Sequence, residues 1–232
     1  MQHKSSAIIA AAGSSRRMEG RDKLWTPLAG RITLARTIDV FEASPIIDNI
    51  VLVLNAEQID NATSLCQQEG WRKITGIVAG GLRRQDSVRL GLDALANIAP
   101  KTQWVMIHDG ARPLVTPDIL AAGLKATQSC QAAIAGVPVK DTIKQVQQGW
   151  IHSTLDRSQL WSIQTPQVFS FSLIHHAYHN SLAQQEFTDD AALLEQLGQR
   201  VAIFPGSYRN IKITTQEDLL IAEALIKGLV AL

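Results

Sequence analysis

Six consecutive residues, Asn49-Ile50-Val51-Leu52-Val53-Leu54, leave little choice of fold. The run is rich in β-branched side chains and apolar on both faces. It suits a strand covered on both sides, and such strands belong to parallel sheets flanked by helices. Similar short runs recur at Ala7-Ile8-Ile9-Ala10-Ala11-Ala12, at residues 74–79, at Trp104-Val105-Met106-Ile107-His108 and at residues 132–137. Helical patterns separate them. Residues 56–69 read as a helix, and residues 87–98 place Val88, Leu92 and Leu95 at i, i+4 and i+7. Thr116-Pro117-Asp118 opens another, with Thr at the N-cap and Pro at the first helical position. Strand alternating with helix predicts an α/β fold: a Rossmann-like, mostly parallel sheet with helices on both faces.

The pattern changes after Pro138. Thr142-Ile143-Lys144-Gln145-Val146 alternates, Gln147-Gln148-Gly149 signals a turn, and Trp150-Ile151-His152-Ser153-Thr154 alternates again. This predicts a β-hairpin arm over residues 139–157, inserted into one domain spanning 1–232. A lone hairpin is marginal in water, so it packs on its own domain or on a second subunit. Helical patterns return at 172–183 and 188–197, a strand at 201–204 and a last helix at 216–229. That helix starts with a capping-box-like Thr215…Asp218.

Composition excludes several classes. The 232 residues are 46% hydrophobic and 19% charged, which is globular. A formal net charge of +1 supplies no global field for nucleic acid, so any polyanion site must be local. Cys66 and Cys130 have neither metal nor disulfide spacing, which predicts a reducing, cytoplasmic location. The N-terminal apolar stretch is too short for a signal peptide or a membrane span, so no membrane partner is expected.

Ligands of open parallel sheets bind beyond the carboxyl ends of the strands. The residues there are informative. Gly13, Ser14, Ser15, Arg16, Arg17 and Lys23 follow the first strand. Gly80, Gly81, Arg83, Arg84, Asp86 and Ser87 follow the strand at 74–79, and His108, Asp109, Gly110, Ala111, Arg112 and Pro113 close the Trp104 strand. Backbone N–H groups of a Gly/Ser loop cradle oxyanions and fixed cations neutralise them. No Gly-Lys-Ser/Thr closes the first loop, and Ser15 stands where G-x-G-x-x-G needs glycine, so this is neither a Walker loop nor a dinucleotide fingerprint. An ordinary strand-to-loop junction with solvated arginines is the competing reading of that loop taken alone.

Together, A-A-G-x-x-x-R-M with a following Lys, G-G-x-x-R-x-x-S-V and H-D-x-A-R-P resemble the sugar-phosphate nucleotidyltransferases, and among them the cytidylyltransferases of methylerythritol phosphate. Later segments extend the resemblance: Pro138-Val139-Lys140-Asp141-Thr142, Asp156-Arg157 with Leu160-Trp161, Thr165-Pro166-Gln167, Thr188-Asp189-Asp190-Ala191 and Asn210-Ile211-Lys212-Ile213-Thr214. The matches run in family order along nearly the whole chain.

The resemblance implies a nucleotide-diphospho-sugar transferase fold. It also implies transfer of a cytidylyl group from CTP to 2-C-methyl-D-erythritol 4-phosphate, with Mg²⁺ and release of pyrophosphate. Arg17, Lys23, Arg157 and Lys212 are then the catalytic residues. Ala11, Ala12, Gly13, Ser14, Gly81, Asp86, Ser87, Asp109 and Gly110 hold the nucleotide. Asp109, Arg112, Thr142, Arg157, Thr188 and Lys212 hold the sugar phosphate. Asp109 is also the candidate metal contact, or else a partner of Arg112. A phosphate nucleophile needs no general base, so His108 is expected to be structural. The hairpin is the family's dimerisation arm, placing Lys140, Asp141 and Thr142 in the neighbour's site of a homodimer. Asp22 stands where the family usually has Pro, and the arginine-to-lysine spacing is one residue short. A ribitol 5-phosphate cytidylyltransferase is the nearest alternative, and a non-catalytic nucleotide-binding regulator the alternative from another class. With the end near Leu232, no fused cyclase domain is expected.

Overall fold

The computed structural model describes residues 4–13 and 22–228. Ser14 and Arg17 lie outside the described residues, so their assignments rest on sequence. In chain order the elements are β1 (Ser5–Ala11), β2 (Pro27–Leu28), β3 (Arg31–Ile32), α1 (Thr33–Ala43), β4 (Asn49–Leu54), α2 (Ile59–Glu69), β5 (Ile74–Ala79), α3 (Arg84–Ile98), β6 (Trp104–Asp109), α4 (Pro117–Cys130) and β7 (Ala132–Pro138). They continue as β8 (Lys144–Gln147), β9 (Trp150–Thr154), β10 (Trp161–Ser170), α5 (Phe171–Tyr178), α6 (Asp190–Gln196), β11 (Ala202–Pro205) and α7 (Gln216–Ile226).

The main sheet has the order β11-β7-β10-β6-β1-β4-β5. Its pairings are parallel except for β10, which is antiparallel to both β6 and β7. The chain steps outward from β1 to β4 to β5 and then returns to the other side of β1 as β6. That reversal opens a crevice beyond the carboxyl ends of β1 and β6. Side chains alternate across the sheet, as strand geometry requires. Ile9, Ile50, Leu52 and Leu54 face Leu34, Ile38 and Phe41 of α1 and Leu120 of α4. Ile8, Val51 and Val53 face Val88, Leu92 and Leu95 of α3 and Ile174 of α5. The predicted two-sided burial of β4 is therefore present, and each such side chain contributes about 1.5–3 kcal/mol.

Boundaries differ from expectation for local reasons. The helix expected from residue 87 begins at Arg84, because the Asp86 carboxylate accepts the Arg83 N–H (3.1 Å) and secures an earlier start. Ser87 therefore lies inside the first turns and is not the cap. Thr116 occupies the N-cap of α4, yet its side chain makes no capping hydrogen bond. The helix expected over 172–183 ends at Tyr178. Asn180 Oδ1 then accepts the Leu182 N–H (3.0 Å) and starts a separate 3₁₀ turn, Ser181–Gln184. The capping box at Thr215 and Asp218 is present.

The hairpin forms as β8 and β9, a two-stranded sheet of its own. Its two-residue loop is Gln148-Gly149, both at positive φ (51° and 84°), the handedness that matches strand twist. Val146, Trp150 and Ile151 on it are exposed. No helix among the described residues is long and apolar enough to cross a membrane.

Candidate active site

A cavity of about 350 Å³ occupies the crevice at the switch point. The end of β1 supplies Ala11, Ala12 and Gly13, the loop after β5 supplies Gly81, and the first turn of α3 supplies Arg84 and Ser87. Asp109 closes β6, and Lys23 and Lys212 reach in from elsewhere in the chain. Three strand ends singled out by sequence thus converge on one space.

The β5 loop comes very close to the β1 loop. A Cβ on Gly80 would stand 2.4 Å from Ala12 Cβ and 2.7 Å from Ser87 Oγ, so only glycine permits this approach. Ser87 Oγ in turn accepts the Gly81 N–H (3.1 Å) and bonds back to the Arg83 carbonyl (3.2 Å). Asp22 accepts the Leu24 N–H (3.0 Å) and its carbonyl takes the Trp25 and Thr26 N–H groups. This Asx turn does the folding work that proline would do, and it delivers Lys23 to the cavity wall.

Asp109 is the electrostatic centre. It is buried at 6% exposure. Lys212 Nζ lies 2.9 Å from Oδ2, Arg112 Nε 3.4 Å from Oδ2 and Arg84 Nε 3.2 Å from Oδ1. Burial by itself would raise the Asp109 carboxyl pKa. Arg84, Lys212 and Arg112 outweigh burial and hold the group well below the usual carboxylate range, so it is ionised.

Arg84 is held differently from Lys212. Its Nη1 and Nη2 donate to the two oxygens of fully buried Asp190, both at 2.9 Å. Tyr178 donates its hydroxyl to the same carboxylate, and burial followed by Asp190's charge pushes the phenol pKa well above its usual range. Loss of Arg84 would strand a buried charge, at a cost of about 3–5 kcal/mol. Lys212 is 37% exposed at its side chain and can turn to an incoming anion. Two carboxylates face three cations here, with Lys23 beside them, so the crevice carries the local positive charge that the whole chain lacks.

β10 aligns this arrangement. Thr165 accepts the Asp109 N–H (3.0 Å) and donates to His108 Nδ1 (3.1 Å), while His108 Nε2–H donates to the Arg112 carbonyl (3.2 Å). Both imidazole nitrogens are committed. Burial first, opposed by Asp109, lowers the His108 pKa to about 4, so the ring is a neutral strut. Gln167 accepts the N–H groups of Asp190 and Ala191 and donates to Asp189 (2.8 Å), which fixes the start of α6 and with it Asp190.

Other expected residues lie elsewhere. Asp86 is paired with Arg83 (2.6 Å) and does not line the cavity. Gly110 packs against Ala11 and Leu34 behind it. Arg112 donates to the Asn210 carbonyl (2.8 Å) at its rear. Thr188 is exposed, just before α6. Thr142 and Arg157 are exposed at the base of the arm, where Arg157 Nη1 donates to the Lys140 carbonyl (2.7 Å), away from this chain's own cavity. Sequence reading left Arg84, Asp190 and Tyr178 unassigned. Arg84 and Asp190 sit inside quoted motifs, while Tyr178 carried no motif.

Asp109 alone does not make a protein-held metal site. Both of its oxygens already face cations, and it is the only carboxylate lining the cavity among the described residues. A divalent cation bound directly to Asp109 would stand beside three cations with one protein ligand, so substrate phosphates and waters would have to supply the rest of its shell.

Known proteins resemble this chain over nearly its whole length. The family model described as "IspD: 2-C-methyl-D-erythritol 4-phosphate cytidylyltransferase" matches residues 5–228. A protein of Dehalococcoides mccartyi strain CBDB1 bearing that enzyme name is 48% identical over 228 residues, 98% of each chain. A namesake from Syntrophotalea carbinolica is 49% identical over 94% of each. The crystal structure of a 4-diphosphocytidyl-2C-methyl-D-erythritol synthase from Anaerococcus prevotii superposes with a TM-score of 0.85 at 32% identity, covering 98% of this chain and all of that one.

Proposed function

The chain belongs to the 2-C-methyl-D-erythritol 4-phosphate cytidylyltransferase family, and from that premise we propose that it joins CTP to 2-C-methyl-D-erythritol 4-phosphate, giving CDP-methylerythritol and pyrophosphate. The observation that carries this reading is the cation-rich crevice around Asp109 at the switch point of the sheet. A phosphate oxygen of the sugar phosphate attacks the α-phosphorus of CTP in line, and pyrophosphate departs. Positioning and charge stabilisation supply nearly all of the catalysis in such a transfer.

The residues divide the work. The backbone of Ala11, Ala12 and Gly13 approaches the triphosphate, and the loop held by Gly80 and Ser87 receives the cytosine. Lys23, with Arg17, neutralises charge developing at the α-phosphorus. Lys212 and Arg112 are held on Asp109 until the second phosphate arrives, and Lys212 turns to it. Arg84 stays clamped to Asp190 and keeps Asp109 in place. No group needs to remove a proton, which agrees with the neutral, doubly bonded state of His108. A divalent cation would enter on triphosphate oxygens, as Mg²⁺ commonly does.

The exposed arm completes the reading. Val146, Trp150 and Ile151 are covered by a second copy of the chain in a homodimer, and Arg157 and Thr142 reach the partner's sugar-phosphate site.

The test incubates the protein with CTP, Mg²⁺ and either methylerythritol phosphate or ribitol 5-phosphate, and follows pyrophosphate release. Release with the first sugar is expected. Faster release with the second assigns the ribitol substrate. Binding of CTP without release on either assigns a regulator.

A further inference from the structure

We propose that Asp93, His175 and His179 form a surface site for a divalent transition metal ion of the zinc type, remote from the crevice. His175 lies in α5 and His179 at its C-terminal end, one helical turn apart, so their rings stand side by side with centroids 4.5 Å apart. Asp93 comes from α3, which packs against α5. Its Oδ1 is 3.5 Å from His175 Nε2 and 3.1 Å from His179 Nε2. One ligand atom from each residue falls within 4.8 Å of the others. Ligands on a tetrahedron about 2.0–2.1 Å from zinc stand roughly 3.3 Å apart, and the two measured separations bracket that value.

Second contacts aim these atoms. His179 Nδ1–H donates to the His175 carbonyl (2.8 Å), which in the neutral ring leaves the lone pair on Nε2. That lone pair faces a carboxylate oxygen at 3.1 Å, two ligand atoms that one metal ion can join. Asp93 Oδ2 is engaged by Arg89 Nη1 (3.2 Å), which leaves Oδ1 turned to the imidazoles. The side chains of Asp93, His175 and His179 are 33%, 32% and 46% exposed, so an ion and a water as fourth ligand can enter. Two imidazoles and one carboxylate with an open position suit zinc and its neighbours and not magnesium or calcium, which take oxygen ligands. Bound metal would clip α3 to α5.

The experiment titrates the purified protein with ZnCl₂ near pH 7 by calorimetry and records thermal unfolding with and without the ion. One saturable equivalent, proton release and a raised Tm are expected, with Mg²⁺ giving none of these. His179→Asn and Asp93→Asn should each weaken binding at least tenfold, with circular dichroism and pyrophosphate release unchanged. No saturable binding, or binding unaltered in both variants, overturns the proposal and leaves an ordinary surface contact between α3 and α5 in its place.

Discussion

Two cations beside the same carboxylate differ in what holds them. Arg84 is tied at both ends to buried aspartates, whereas Lys212 has one aspartate and a solvent-facing side. Lys212→Ala should therefore lower turnover by ~10²–10³-fold, the usual cost of a lost transition-state contact, while changing stability by less than about 1 kcal/mol. Arg84→Ala should do the reverse first, unfolding at lower urea because Asp190 is left unpaired. Equal stability losses in the two variants would refute this division. His108 adds a pH dependence. Its pKa falls from 6.5 in the unfolded chain to about 4 in the folded one, so the unfolded state binds the extra proton between those values. Stability is complete above about pH 6.5 and falls as pH drops toward 4, by about 3 kcal/mol from this group alone. The depressed Asp109 carboxyl adds a loss in the same direction at still lower pH. His108→Asn should flatten the slope between pH 6.5 and 4 in urea unfolding measured at several pH values.

At the level of elements, function depends on how closely loops approach one another. Gly80→Ala places a methyl group against Ala12 and Ser87, so the β5 loop must retreat from the β1 loop. The expected result is a KM for CTP raised by tenfold or more and a Tm lowered by a few degrees, with the KM for the sugar phosphate little changed. The parallel strands and their loops were legible because burial on both faces writes itself as uninterrupted apolar runs. β10 was not. Gln164, Thr165 and Gln167 are polar and buried, each satisfied by a particular distant partner, and no periodicity announces such a strand. Its residues were visible only as a Thr-Pro-Gln motif of unassigned purpose. The structure gives that motif a task, since Thr165 sets the β6 terminus and Gln167 sets α6. Asp86 entered as a nucleotide contact through the resemblance, and in the structure the adjacent Arg83 and the helix start engage its carboxylate.

At the level of the whole molecule, the chain has apolar surface on its arm, and neither Arg157 nor Thr142 lines its crevice. Sequence carried the hairpin through its alternation and its Gln-Gly turn, but an exposed apolar side chain looks the same in sequence as a buried one. If the arm serves the opposite crevice, the two functional halves of one catalytic centre are inherited from different polypeptides. Arg157→Ala and Lys212→Ala homodimers are then both inactive for different reasons. Unfolded together and refolded as a mixture, they form hybrids in which one crevice receives an intact lysine from its own chain and an intact arginine from its neighbour. Recovery of about a quarter of wild-type pyrophosphate release is expected for random two-fold pairing. No recovery would mean that each chain works with its own arm. Recovery would make the enzyme a genetic mosaic in the literal sense: two defective alleles, neither of them functional alone, sharing one working site.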